Sequence, residues 1–143
     1  MTNLLELYEF AENHNIDVDW VPLTASKSLS MPFPDGSSGI AVDPWKMDTL
    51  EIETVLLSHE LGHCMTGSFY NKYATCDVRR KHENRADKWA IQNLISEDEL
   101  DDAVAQGCTE LWELAEHFGV TEDFMRKAVC WYTYGNLATE LYF

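Results

Sequence analysis

A chain of 143 residues, 45% of them hydrophobic, is long enough to bury a core and is expected to form one domain over residues 1–143, since no linker or repeat divides it. A formal charge of −15 excludes the basic surface that phosphate binding requires, so direct nucleic-acid binding is not expected. Glu6 and Glu9 stand where an export signal would be basic, and no run of the roughly 18 apolar residues needed for a membrane span occurs, so a soluble, cytoplasmic protein is expected. Cys64, Cys76, Cys108 and Cys130 contain no C-x-x-C pair and read as reduced thiols in that compartment.

Taken in chain order, the pattern predicts a helix over residues 3–14, then strands over 17–23 and 28–33. Pro32, Pro34, Asp35 and Gly36 mark a turn, and 39–43 is a third strand. Asp48 and Glu51 read as a capping box that opens a helix through His63. A second long helix is expected over 81–94, and Ser96 with Glu99 opens a short acidic one. Helices over 109–118 and 121–132 complete the chain. The fold class is therefore α+β, a small three-stranded antiparallel or mixed sheet packed on the central helix, with a mostly helical C-terminal half. Leu114-Ala115 to Phe124 has the outline of a helix-turn-helix. Its second helix offers only Arg126 and Lys127 against Glu110, Glu113, Glu116, Glu122 and Asp123, so helical packing is the better reading.

The most specific feature is His59-Glu60-Leu61-Gly62-His63, which spells H-E-x-x-H. Residues four apart on a helix differ by only about 40°, so both imidazoles can reach one metal ion while Glu60 stands beside it. Ile52, Leu56, His59 and His63 recur at helical spacing, which predicts that the histidines continue the apolar stripe facing the interior. A plain amphipathic helix with histidines on its core side is the alternative, but buried imidazoles need partners on both nitrogens, which a metal and a second acceptor provide. Gly62 costs a helix about 1 kcal/mol relative to alanine and points to close approach of another backbone. Cys64 follows His63 directly, but adjacent helical residues diverge by about 100°, so it reads as a packing thiol.

A catalytic metal usually takes a third protein ligand. The extension that would supply a third histidine is absent, because Thr66-Gly67-Ser68-Phe69 contains none. In the helix over 81–94, Glu83, Asp87, Ala90 and Leu94 share a stripe. Two acids there repel by a few tenths of a kcal/mol and are costly to bury unpaired. Glu83 as a ligand and Asp87 as the acceptor for a ligand histidine account for both, whereas a solvated acidic face paired with Arg85 or Lys88 is the alternative. The basic run Arg79-Arg80-Lys81-His82 reads as a solvated helix start, with steering of an acidic substrate as the other possibility.

H-E-L-G-H followed about twenty residues later by Glu83-Asn84-Arg85-Ala86-Asp87 resembles the ImmA/IrrE metallo-endopeptidases, a branch of the zincins with the pattern H-E-x-x-H and E-x-x-A-(N/D). Gly39-Ile40-Ala41-Val42-Asp43 before the motif helix is similar to the family's strand, and the resemblance extends over most of the chain. It implies a zincin-like fold, Zn2+ held by His59, His63 and Glu83, Glu60 as catalytic base, and Asp87 orienting a ligand histidine. It also implies an intracellular endopeptidase that cleaves a protein substrate, a helix-turn-helix repressor of a mobile element or stress response. The alternative function is a regulatory protein that sequesters a repressor without cutting it; a metal-stabilised structural domain is a further rival. Two imidazoles and a carboxylate also suit other divalent metals. The strand over 39–43 is the expected platform for an extended substrate. Tyr70, Tyr73, His82, Tyr132 and Tyr134 are all candidates to stabilise an oxyanion, with none singled out, and nothing in the sequence sets the oligomeric state.

Overall fold

The computed structural model describes residues 2–137. Its elements run α1 (Leu4–Asn13), β1 (Ile16–Trp20), β2 (Ser28–Pro32), β3 (Ser38–Val42), a short 3-10 turn (Pro44–Lys46), α2 (Leu50–Thr66), α3 (Cys76–Leu94), α4 (Glu97–Ala105), α5 (Leu111–Phe118) and α6 (Glu122–Tyr134). The architecture is α+β, as the periodicity predicts, and the sheet is of the mixed kind. No helix among the described residues is long and apolar enough to cross a membrane.

The strand order is β1-β3-β2. β1 runs parallel to β3, with Val18 opposite Ile40, and β2 runs antiparallel to it, with Ser30 opposite Ile40. This corrects the expectation that residues 39–43 are the platform for an extended substrate, which would need a sheet edge: β3 is paired on both sides, so its backbone groups are already spent. Burial follows from that position, with Ile40 3% and Val42 1% exposed. The edge strand lying on the motif helix is β2, and a peptide adding to the sheet there would pair with β2.

Two helix starts also differ from the sequence pattern. The N-cap of α2 is Thr49, whose Oγ1 accepts from the Ile52 amide at 3.1 Å. Asp48 and Glu51 therefore do not form the expected capping box; with two adjacent residues able to cap, the one in extended backbone at the first turn takes the role. α3 begins at Cys76 behind the cap Thr75. Arg79 and Arg80 thus lie within the helix, and Arg79 donates to the backbone carbonyls of Lys72 and Ala74, pinning the loop that precedes it. The start at Ser96 is as expected: its Oγ accepts from the Glu99 amide at 3.1 Å and donates to Glu99 Oε1 at 3.0 Å.

α2 packs on α3 through Leu57, Leu61, Ala86, Ala90 and Ile91, all fully buried. Each large aliphatic side chain contributes about 1.5–3 kcal/mol on burial, so this interface outweighs the cost of glycine inside α2. A Cβ on Gly62 would lie 2.5 Å from the Ala86 carbonyl oxygen and 2.9 Å from its Cα. The backbones touch there, as the glycine predicts. Glu83 and Asp87 flank Ala86 along the same side of α3, so this contact brings the acids to the histidines. Leu114, Ala115 and Phe118 of α5 share the core with Phe124, Met125 and Ala128 of α6, and the helix-turn-helix outline is a packed helical pair.

Candidate active site

The site forms where α2, α3 and β2 meet. Along α2 the fully buried positions are Leu57, Ser58 and Leu61, while Ile52, Leu56 and His59 are half-buried. His59 therefore lies beside the core stripe, on the side of α2 that borders a cleft, whereas His63, 5% exposed, is buried as the stripe predicts. Both imidazoles line a cavity there while the helix remains anchored by leucines.

His59 Nδ1 donates to Asp87 Oδ1 at 2.7 Å, and His63 Nδ1 donates to the Ser68 carbonyl at 2.7 Å. The second contact depends on Gly67, which ends α2 at φ 66° and folds the chain back so that the Ser68 amide bonds the His63 carbonyl. With both Nδ1 atoms carrying hydrogens, the two Nε2 atoms are left pointing at one another, 3.2 Å apart. Glu83 closes the group, with Oε2 2.7 Å from His59 Nε2 and Oε1 3.1 Å from His63 Nε2. One ligand atom from each of His59, His63 and Glu83 lies within 4.8 Å of the others, a spacing that can hold a metal ion.

Two facing lone pairs and a carboxylate oxygen repel unless a cation sits among them. Without a metal, a proton takes that part. Burial works against a charged His59, but its hydrogen bonds to Asp87 and Glu83 and the nearby carboxylate charges outweigh it and push the imidazole up to about 10. Glu83 feels the converse: burial disfavours its charge, yet His59, His63 and Tyr70 hold its carboxyl well below the usual range. Asp87 is likewise lowered, against burial, by His59 and Lys127. The donor set, its open side and its need for positive charge all fit a divalent cation.

Glu60 is 6% exposed and lines the same cavity as His59, His63 and Glu83. Its Oε2 accepts from Ser28 Oγ at 2.7 Å and its Oε1 from Ser30 Oγ at 2.8 Å. Of the five expected oxyanion donors, Tyr70 alone bonds a residue of the three-ligand group, donating to Glu83 Oε1 at 2.7 Å. Burial, then Glu83, pushes its phenol up to about 12, so it remains a donor. His82 bonds the Val78 carbonyl and meets Tyr70 edge-on, Tyr132 bonds the Ile95 carbonyl, and Tyr73 and Tyr134 are exposed. Burial pushes the Cys64 thiol up to about 11, consistent with a packing role.

Four contacts were not foreseen: the two serines on Glu60, the Ser68 carbonyl on His63, and Lys127 Nζ of α6 on Asp87 Oδ2 at 3.1 Å. Only the serines left a trace, two polar residues alternating with Leu29 and Met31 in a strand. The cavity of about 560 Å³ over Glu60 and another of about 540 Å³ beside Arg79 and Lys127 share Leu56, His59 and Glu83, so the two meet at His59.

Compared with known families, residues 11–129 match the Peptidase M78 model, described as an IrrE N-terminal-like domain. The chain belongs to this family. The match spans the three strands, the whole of α2 to α5 and Lys127, so His59, Glu60, His63, Glu83, Asp87 and their partners Ser28, Ser30, Ser68, Tyr70 and Lys127 all lie inside the IrrE N-terminal-like region. Membership supports a metallopeptidase-type function for the domain. No curated protein and no solved structure matches the chain.

Proposed function

We propose that this IrrE N-terminal-like domain is a zinc-dependent endopeptidase that cleaves a repressor-type transcription regulator. The observation that carries the reading is the convergence of the His59 and His63 Nε2 atoms on Glu83, with both Nδ1 atoms capped and Glu60 in the same cavity. His59, His63 and Glu83 would hold the metal, and two imidazoles with one carboxylate are a donor set suited to zinc. When bound, such an ion supplies Lewis acidity, polarising a carbonyl and acidifying water.

The protein groups do the remaining work. Glu60 takes a proton from the attacking water and returns it to the leaving amine. Asp87 fixes the tautomer and ring plane of His59, and the Ser68 carbonyl does so for His63. Tyr70, which bonds Glu83 Oε1 at 2.7 Å, would donate to the oxygen that gains charge on the attacked carbonyl. The open edge of β2 offers an extended peptide backbone pairing beside the cleft. A repressor as substrate rests on the family resemblance, and the charge of −15 suits attraction of a basic DNA-binding protein.

The test is to measure metal content, fold and cleavage of a candidate helix-turn-helix repressor for wild type and Glu60→Gln. Cleavage by wild type, lost in the variant with metal and fold retained, supports the enzyme. Equal cleavage by both removes Glu60 from the chemistry. Tight binding of the repressor without cleavage by zinc-loaded wild type identifies a sequestering regulator instead.

A further inference from the structure

Ser28 and Ser30 stand two residues apart on β2, so both side chains leave the same face of the sheet. Each takes a different oxygen of Glu60, at 2.7 and 2.8 Å. One hydrogen bond leaves a carboxylate free to rotate about it, whereas one on each oxygen fixes the plane of the group. Burial alone asks only that the carboxylate be satisfied; here the two donors come in register from one strand. That strand is held by its antiparallel ladder to β3, where Ser28 lies opposite Val42 and Ser30 opposite Ile40, both deep in the core. Its other edge carries no strand among the described residues.

We propose that Ser28 and Ser30 are positioning residues for the Glu60 carboxylate, so that the strand along which a peptide would pair also sets the base. The proposal rests on Glu60 acting as the base of a peptidase. A peptide adding to the free edge of β2 stiffens the strand that carries both hydroxyls, and substrate binding and base alignment become one event. Threonine preserves the hydroxyl and favours a strand, whereas alanine removes the donor with little change in shape.

The test compares Ser28→Ala/Ser30→Ala and Ser28→Thr/Ser30→Thr with wild type, each also in a Glu60→Gln background, with circular dichroism to check folding. Two quantities are read on the zinc-loaded full chain: peptide cleavage, and affinity for N-acetyl-leucine hydroxamate, whose hydroxyl needs an aligned carboxylate acceptor. In the alanine pair, kcat should fall about tenfold with KM within about twofold, as for other groups that orient a reacting residue. Hydroxamate affinity should fall by a similar factor, the threonine pair should recover most of both, and the affinity loss should vanish when Glu60 is already glutamine. Unchanged kcat and affinity in the alanine pair overturn the proposal, as does an affinity loss that persists in the Glu60→Gln background. If the alanine pair fails to fold, the single alanine variants are read by the same criteria. A wild type that binds the hydroxamate but cleaves no peptide defeats the endopeptidase reading, while the affinity comparison still decides this one. Should the hydroxamate not bind, the carboxyl 13C resonance of Glu60 in the metal-free protein decides: it should move in the alanine pair, and a resonance that stays in place overturns the proposal.

Discussion

At the scale of single residues, the chemistry is concentrated in the nitrogens and oxygens that converge on one point. Asp87 is bonded to His59 at 2.7 Å and to Lys127 at 3.1 Å. Asp87→Asn keeps the shape but weakens the grip on the imidazole, and zinc affinity measured by chelator competition should drop by about 10- to 100-fold. The proton on His59 makes a second prediction. A metal must displace it, so apparent zinc affinity should rise by up to about tenfold per pH unit below the metal-free value of about 10. Stability of the metal-free protein should show the reverse trend. With the folded value raised from 6.5 to about 10, the contribution of His59 is complete below pH 6.5 and is lost as pH rises through about 10. Glu83 and Asp87, both lowered, contribute above their ordinary carboxylate values and lose that contribution as pH falls below them. Metal-free urea midpoints across pH 4–9 should therefore peak on the acid side of neutrality, and a midpoint that climbs steadily to pH 9 would contradict the assigned protonation of His59.

At the scale of elements, the decisive contact is between α2 and α3. Alanine for glycine stabilises an ordinary exposed helix by about 1 kcal/mol. At Gly62 the added methyl would lie 2.5 Å from a backbone oxygen of α3, and backbone cannot move aside as a flexible side chain can. Gly62→Ala should instead destabilise by about 1–3 kcal/mol in urea unfolding. It should also weaken zinc binding, because the helices that carry the two halves of the donor set are pushed apart. A neutral or positive change in stability would mean that α2 and α3 do not meet at Gly62. The strands show a different limit. Residues 28–33 and 39–43 are readable as strands from composition, yet their places in the sheet are not, because an alternating pattern marks a face and says nothing about neighbours. For that reason the platform expected on 39–43 falls on a central strand, and the edge strand beside the cleft, β2, is the one proposed to take that part.

Across the molecule as a whole, the C-terminal helices reach back to the site. Lys127 on α6 bonds Asp87 on α3, which bonds His59 on α2, so three helices meet in one chain of charges. Lys127→Met should leave the fold in place, since Lys127 is partly exposed, and should lower zinc affinity severalfold through Asp87. An affinity equal to wild type by the same chelator competition would confine Lys127 to helix docking. The sequence by itself determined the parts of the site that local geometry controls: the four-residue spacing of His59 and His63, the matching spacing of Glu83 and Asp87, and the glycine that requires another backbone. These are properties of one helical turn, set by the 3.6-residue period wherever the helix lies. Only the tertiary structure decided which strand borders the cleft, that Ser28 and Ser30 hold Glu60, that the Ser68 carbonyl caps His63, and that Lys127 reaches Asp87. Those contacts join groups that no local period relates, and their partners are chosen by how sheet and helices pack across the whole core.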